Sequence, residues 1–211
     1  FITGGATGMG LGFAKAFLEH GADVLIASRK EENLSKAASE IKEQTGKTLH
    51  WKMMDVRNNE TVEEVAKYIK DKWGYLDVLV NNAAGNFVTP AAAMSENAWR
   101  AVIDIVLDGT FRVSKACYPL LRNNEEGSSI VNIIANYAWG AAPFVAHSGA
   151  AKAGVLNLTR SLALEWSDDN IRVNAMCPGV VLTDNVKKNL MLDESVVKSF
   201  ESNIPAGGIT D

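Results

Sequence analysis

The chain of 211 residues carries only two cysteines, Cys117 and Cys177, and three histidines. Neither cysteine stands in a CxxC or His-rich spacing, which excludes a disulfide framework and a zinc site and leaves two thiols expected to be buried in a reducing compartment. No apolar run approaches the roughly 20 residues a helix needs to cross a bilayer, so no membrane span is expected. A block of like charge is missing too. Lysine and arginine are scattered, 21 basic against 25 acidic residues for a net charge of −4, and binding to nucleic acid or an anionic membrane has no electrostatic basis. Internal repeats, linkers, low-complexity stretches and credible metal-ligand clusters are absent as well. What is present is a composition 47% hydrophobic and 22% charged, ordinary for a globular chain and long enough for one domain with a substantial core.

Phe1 already stands inside a strand, which predicts further chain before it and a domain, residues 1–211, that is incomplete at both ends. Thr3-Gly4-Gly5-Ala6-Thr7-Gly8-Met9-Gly10 follows as a glycine-rich turn into a helix. Glycine lets backbone come close to a diphosphate, and a helix N-terminus offers free N–H groups with partial positive charge. Ala22 to Ala27 is a second strand, completing a strand–helix–strand unit of the dinucleotide-binding kind. That strand ends in Ser28-Arg29-Lys30. An acidic residue there would hold the ribose 2′-hydroxyl of NAD, whereas two cations suit a 2′-phosphate, so the pattern favours NADPH; a solvated basic turn is the plainer alternative.

Helices over 31–44 and 60–73, strands over 50–54 and 76–80, and one long helix from about Glu96 to Leu121 continue the alternation. Strands over 129–135 and 171–176 complete it. Strands alternating with helices of ten or more residues predict a single-domain α/β fold: a doubly wound parallel sheet, Rossmann-like, with helices on both faces. Asp184 to Ser202 is more polar and suits a cover over the site.

The reaction centre is expected where the strand ending at Ala135 meets the helix that begins near His147. Ligands of open parallel sheets bind outside the carboxyl ends of the strands. Tyr137 lies at that end, and Ser148 and Lys152, four apart, share one helix face. Alone, Tyr137 reads more readily as a loop aromatic and Lys152 as a solvated helix lysine, and only the rest of the chain changes that.

Thr-Gly-x3-Gly-x-Gly, Asn81-Asn82-Ala83, the strand leading to Lys152, and Pro178-Gly179 after a further strand resemble, in this order, the short-chain dehydrogenase/reductase family. The likeness covers nearly the whole chain. Family members usually have a Tyr four residues before the Lys, a Ser ending the preceding strand and an Asn in the long helix. Those places hold Ser148, Ala135 and Val106 here. The 2,4-dienoyl-CoA reductase branch differs in these places, and Asn81-Asn82-Ala83-Ala84-Gly85-Asn86-Phe87 resembles its motif. In its mitochondrial type the active Tyr precedes the Lys by fifteen residues, as Tyr137 precedes Lys152. The peroxisomal type lacks that Tyr, although His147-Ser148-Gly149 is similar to its His-rich segment.

The resemblance implies an enzyme that reduces 2,4-dienoyl-CoA to 3-enoyl-CoA with NADPH, in β-oxidation of polyunsaturated fatty acids. It implies a homotetramer in the mitochondrion, or alternatively the peroxisome. Tyr137, Asn86, Lys152 and Ser148 would be catalytic, with Tyr137 and Asn86 meeting the charge on the thioester oxygen. Gly4, Gly5, Ala6, Thr7, Gly8, Met9, Arg29, Asp55, Lys152, Pro178, Gly179, Val180 and Val181 would line the cofactor. Arg57, Asn86, Phe87, Ser95 and Tyr137 would touch the acyl-CoA. A further basic substrate contact of the branch would fall near Asn189, which is not basic. Two rival readings remain open at this point: a reductase of 3-oxoacyl thioesters, and a catalytically silent NADPH-binding or scaffold protein.

Overall fold

The computed structural model describes residues 1–179 together with Val181 and Thr183. The expectations for Val180, for Asn189 and for a cover over Asp184 to Ser202 lie outside the described residues. Six strands form one parallel sheet in the order β3-β2-β1-β4-β5-β6. They are β1 (Ile2–Thr3), β2 (Leu25–Ser28), β3 (His50–Met53), β4 (Val78–Asn81), β5 (Ser128–Ile133) and β6 (Ile171–Met176). The connecting helices are α1 (Gly8–Glu19), α2 (Glu31–Thr45), α3 (Asn59–Trp73), α4 (Glu96–Ile103), α5 (Gly109–Arg122) and α6 (Ala146–Glu165).

Neighbouring strand residues point to opposite faces, so each buried strand feeds two cores. Leu25 and Leu79 pack with Val62, Val65 and Ile69 of α3 and Leu121 of α5. Ile26 and Val80, one residue on, pack with Ala14 and Leu18 of α1 and Leu34 and Ile41 of α2. Helix ends follow local chemistry. The Asn58 side chain accepts the N–H groups of Glu60 and Thr61 at the start of α3, and Gly74 closes that helix at φ +81°, where a left-handed residue satisfies a terminal carbonyl.

The single helix expected over 96–121 follows one helical path but is interrupted. Residues Asp104–Asp108 form a π turn between α4 and α5, the kind of one-turn bulge often found at functional sites. Val106 in that turn is buried against Ile134, Ala138, Ala151 and Val155, so the bulge supplies an apolar wall behind the end of β5. The chain runs outward from β1 to β3, then returns to start β4 on the other side of β1. This reversal opens a crevice at the carboxyl ends of β1 and β4.

Candidate active site

The crevice is built mainly from backbone. Gly4 sits at φ +63°, and a Cβ on it would come within 3.0 Å of Ala83 Cα. A Cβ on Gly10 would run into the Gly4 carbonyl oxygen, so the turn and the first residues of α1 can pack this closely only as glycine. The motif after β4 holds the turn in place. Asn82 Nδ2 donates to the carbonyls of Thr3 (3.0 Å) and Gly4 (3.1 Å), while Thr3 Oγ1 accepts the N–H groups of Asn82 and Ala83, both at 3.0 Å. A fixed glycine cradle at the start of a twelve-residue helix fits the diphosphate of a nicotinamide dinucleotide. Arg29 and Lys30 are both exposed at the end of β2.

Asp55 and Arg57, expected to serve cofactor and substrate separately, are paired with each other. Arg57 Nη2 lies 2.6 Å from Asp55 Oδ2, and Arg57 Nε donates to both carboxylate oxygens. The Arg57 guanidinium holds the Asp55 carboxyl below the usual carboxylate range, helped by the charge of Arg29. Ser95 is also engaged locally, its Oγ accepting the Ala98 N–H to cap α4. It borders an open pocket of about 450 Å³ that also meets Met94, Trp99, Arg100 and Ala146.

At the end of β5 the structure brings Tyr137, Ser148 and Lys152 together. Tyr137 lies in a single 3-10 turn, Asn136–Ala138, and its hydroxyl is 3.2 Å from Ser148 Oγ. Lys152, one turn further along α6, is 7% exposed and its ammonium donates to the Ile133 carbonyl at the last residue of β5. Burial lowers its pKa to about 8. Cys177, beyond β6, is only half-buried, in contrast to the buried thiol expected, while Cys117 is buried as expected. Phe87 packs against the apolar cluster of Val106, Ala138 and Ala151. Asn86 beside it accepts the Phe87 N–H on Oδ1 at 2.9 Å, which orients the amide. The loops after β4 and β5 are joined by the Thr89 N–H donating to the Phe144 carbonyl at 2.9 Å, with Phe144 itself at φ +64°.

Three features escaped the sequence reading. A buried network runs from Asn81 Nδ2 to Ser114 Oγ and to Asn132 Oδ1, and from Asn132 Nδ2 to Thr159 Oγ1, each bond 2.9 Å. The signal was an asparagine inside each of two apolar strands, since a buried amide demands partners. Asn82 is the clamp on the glycine turn, a role no spacing rule gives. His147 is fully buried next to Ser148. Among the described residues no group of acidic, His or Cys side chains could hold a metal, and no helix is long and apolar enough to cross a membrane.

Residues 1–192 match the family described as short chain dehydrogenase. A Bacillus subtilis (strain 168) protein named probable 2,4-dienoyl-CoA reductase, (2E)-enoyl-CoA-producing, is 41% identical over 98% of this chain and 81% of its own length. The Rattus norvegicus peroxisomal 2,4-dienoyl-CoA reductase, (3E)-enoyl-CoA-producing, is 41% identical over 86% of this chain. The match spans 62% of the rat protein's length. A gluconate 5-dehydrogenase from Burkholderia cenocepacia J2315, solved in complex with NADP and tartrate, superimposes with a TM-score of 0.90 at 28% identity, covering 99% of this chain and 81% of that one. With the glycine cradle, the asparagine clamp and the lysine helix all falling inside the matched residues, the chain belongs to the short-chain dehydrogenase family and is an oxidoreductase.

Proposed function

We propose that the chain is a 2,4-dienoyl-CoA reductase that uses NADPH and yields a 3-enoyl-CoA. The observation that carries this reading is the 3.2 Å approach of the Tyr137 hydroxyl to Ser148 Oγ. It sets the hydroxyl of a phenol fifteen residues before Lys152 beside Ser148, the residue that stands where the wider family resembled by the sequence has its own tyrosine. The two relatives named as 2,4-dienoyl-CoA reductases support the substrate class.

NADPH, when bound, supplies a hydride for the δ carbon of the conjugated thioester. The Tyr137 hydroxyl and the Asn86 amide nitrogen donate to the thioester oxygen as charge arrives there. Asn86 Oδ1 is already taken by the Phe87 N–H, which leaves Nδ2 as the end able to donate to a ligand. Oxyanion donors of this kind contribute about 3–4 kcal/mol each to transition-state stabilisation. Lys152, whose ammonium already donates to the Ile133 carbonyl, would hold the nicotinamide ribose. Ser148 keeps the hydroxyl in place. A proton delivered at the α carbon, by Tyr137 or by a water beside it, completes the balance of one hydride and one proton. Protonation at that carbon yields the 3-enoyl product.

Gly4 to Met9, Arg29, Asp55, Pro178, Gly179 and Val181 are assigned to NADPH. Phe87, Ser95 and Arg57 are assigned to the acyl-CoA, which requires Arg57 to turn from Asp55 or to present the guanidinium edge that Asp55 leaves open. We place the enzyme in mitochondria as a homotetramer. The compartment rests on Tyr137, and the relatives include peroxisomal and bacterial proteins.

The test is absorbance at the nicotinamide band with a 2,4-dienoyl-CoA, a 3-oxoacyl-CoA, and no acyl-CoA. Oxidation of NADPH with the dienoyl compound is expected. Turnover with the 3-oxo compound alone would replace this reading, and NADPH binding without turnover of either would make the chain a silent binder.

A further inference from the structure

His147 is completely buried, yet nothing in the mechanism above uses it. It is the second residue of α6, and the preceding Val145 has no side chain able to cap the helix. A helix start leaves N–H groups without partners. One of them is met by the imidazole: the Ser148 N–H donates to His147 Nδ1 at 2.9 Å. A ring nitrogen that accepts carries no proton, so the imidazole proton is on Nε2. That Nε2 is buried and has no hydrogen-bond partner among the described residues. An unpaired buried donor is unfavourable. A leucine would avoid it, so the position favours histidine only if the Nδ1 acceptor matters.

The ring also reaches the opposite side of the site. It stands edge to face with Phe87, the centroids 4.4 Å apart and the planes at 82°, and the Phe87 N–H is the donor that orients Asn86. One imidazole therefore touches both the Ser148–Tyr137 pair and the Asn86 loop.

We propose that His147 is a positioning residue: its Nδ1 fixes the first turn of α6 so that Ser148 meets the Tyr137 hydroxyl, and its ring holds Phe87 and the Asn86 amide opposite. The inference rests on the reaction centre proposed above, but its test does not depend on which acyl-CoA is reduced.

The first measurement is the imidazole ¹⁵N NMR spectrum of the chain, in which three histidines are assigned by single substitution. His147 is expected as the Nε2–H tautomer, and the Nδ1–H tautomer, which cannot accept from Ser148, would overturn the proposal. The second is kinetic, on whichever acyl-CoA the unmutated chain turns over. His147→Asn puts an oxygen where Nδ1 stands, His147→Gln offers an amide only near Nε2, and His147→Leu offers neither. Misplacement of this size should lower kcat roughly tenfold for Leu and Gln, with KM and NADPH affinity changed less than about twofold and Asn restoring kcat to within about threefold. In a Ser148→Ala background, His147→Leu should cost less than it does alone, leaving only the part that passes through Phe87 and Asn86. Unchanged kcat in His147→Leu, or equal losses in all three variants that track a fall in thermal midpoint, would reduce His147 to packing. If only the 3-oxoacyl-CoA is turned over, the proposed reaction fails while the variant series still judges His147. If neither is turned over, the tautomer and the exchange rate of the Ser148 amide in His147→Leu decide.

Discussion

The crevice between β1 and β4 and the end of β5 lie side by side, but one is made of backbone and the other of side chains. In the crevice the residues that matter are those whose Cβ would collide: Gly4 against Ala83, and Gly10 against the Gly4 carbonyl. No other residue type fits, so identity is tied to position. In the reaction centre proposed at the end of β5, the chemistry would be carried by the tips of long side chains. A phenol can arrive there from α6 or, as here, from the 3-10 turn before it, provided the hydroxyl ends beside Ser148 and the Lys152 helix. Val106, where the family resembled by the sequence usually has an asparagine, packs with Ala138 and Ala151. A backbone site restricts residue identity sterically, whereas a side-chain site depends only on where the functional tips end.

The largest effect that would break this comparison is at Tyr137. Tyr137→Phe keeps the ring and removes the hydroxyl, so folding and NADPH binding should survive. Losing one oxyanion donor should lower kcat by roughly 10²–10³ with a smaller change in KM, measured by steady-state kinetics with a 2,4-dienoyl-CoA.

Lys152→Met comes next, and it separates stability from activity. Burial brings the Lys152 pKa from 10.5 to about 8. Between those values the unfolded chain holds a proton that the folded chain has released, so stability rises with pH across that window. Below about pH 8 both states are charged and the folded chain carries the whole cost of the buried ammonium. A shift of 10.5 − 8, or 2.5 units, corresponds to about 3 kcal/mol. Urea denaturation should therefore show Lys152→Met more stable by as much as about 3 kcal/mol at pH 7, less whatever the lost bond to Ile133 contributed, with the gain fading by about pH 10.5. Activity should be lost at both values. In the unmutated chain kcat/KM should fall as pH rises through about 8, where the free enzyme loses the ammonium.

The parallel sheet and the helices on both faces were legible because period-2 and period-3.6 patterns report burial directly. The glycine turn was legible for the steric reason above. The π turn at Asp104–Asp108 was not, because one extra residue in a helix leaves the apolar spacing nearly unchanged on either side. The Asp55–Arg57 pair was missed as a pair because two residues apart on a non-helical segment can face either way, and only the fold turned them together. Asn82 and His147 were passed over because their partners, the Gly4 carbonyl and the N–H of the next residue, are backbone groups whose positions no side-chain pattern encodes.

Arg29→Asp tests the remaining part of the crevice, where recognition passes from backbone to side chain. The guanidinium is exposed and sits at the end of β2, where an acid would hold a ribose hydroxyl instead of a phosphate. NADPH should bind the unmutated chain more tightly than NADH, and the substitution should narrow or reverse the preference by roughly ten- to a hundredfold, since a charge-assisted contact is worth about 1.5–3 kcal/mol. Isothermal titration with each dinucleotide measures it, and equal affinities in the unmutated chain would remove NADPH from the proposal.

The smallest effect is the one that sharpens the comparison most. Ser148 occupies the place where the wider family carries its tyrosine, and here its Oγ only contacts the Tyr137 hydroxyl at 3.2 Å. Ser148→Ala removes one neutral hydrogen bond, worth about 0.5–1.5 kcal/mol, so kcat should fall by no more than about tenfold. If that variant were inactive while Tyr137→Phe stayed within about twofold of the unmutated kcat, the reaction centre would lie at Ser148 and the fifteen-residue spacing would be coincidence. Ser148→Tyr puts the family's residue back, yet it should not produce a carbonyl reductase. Ser148 is 2% exposed, so the added ring has no room except at the expense of Tyr137. Val106 remains a buried hydrocarbon where such a site needs a polar group. Side chains can be moved along the chain to serve a fixed point, but one of them moved back alone finds its former partners gone.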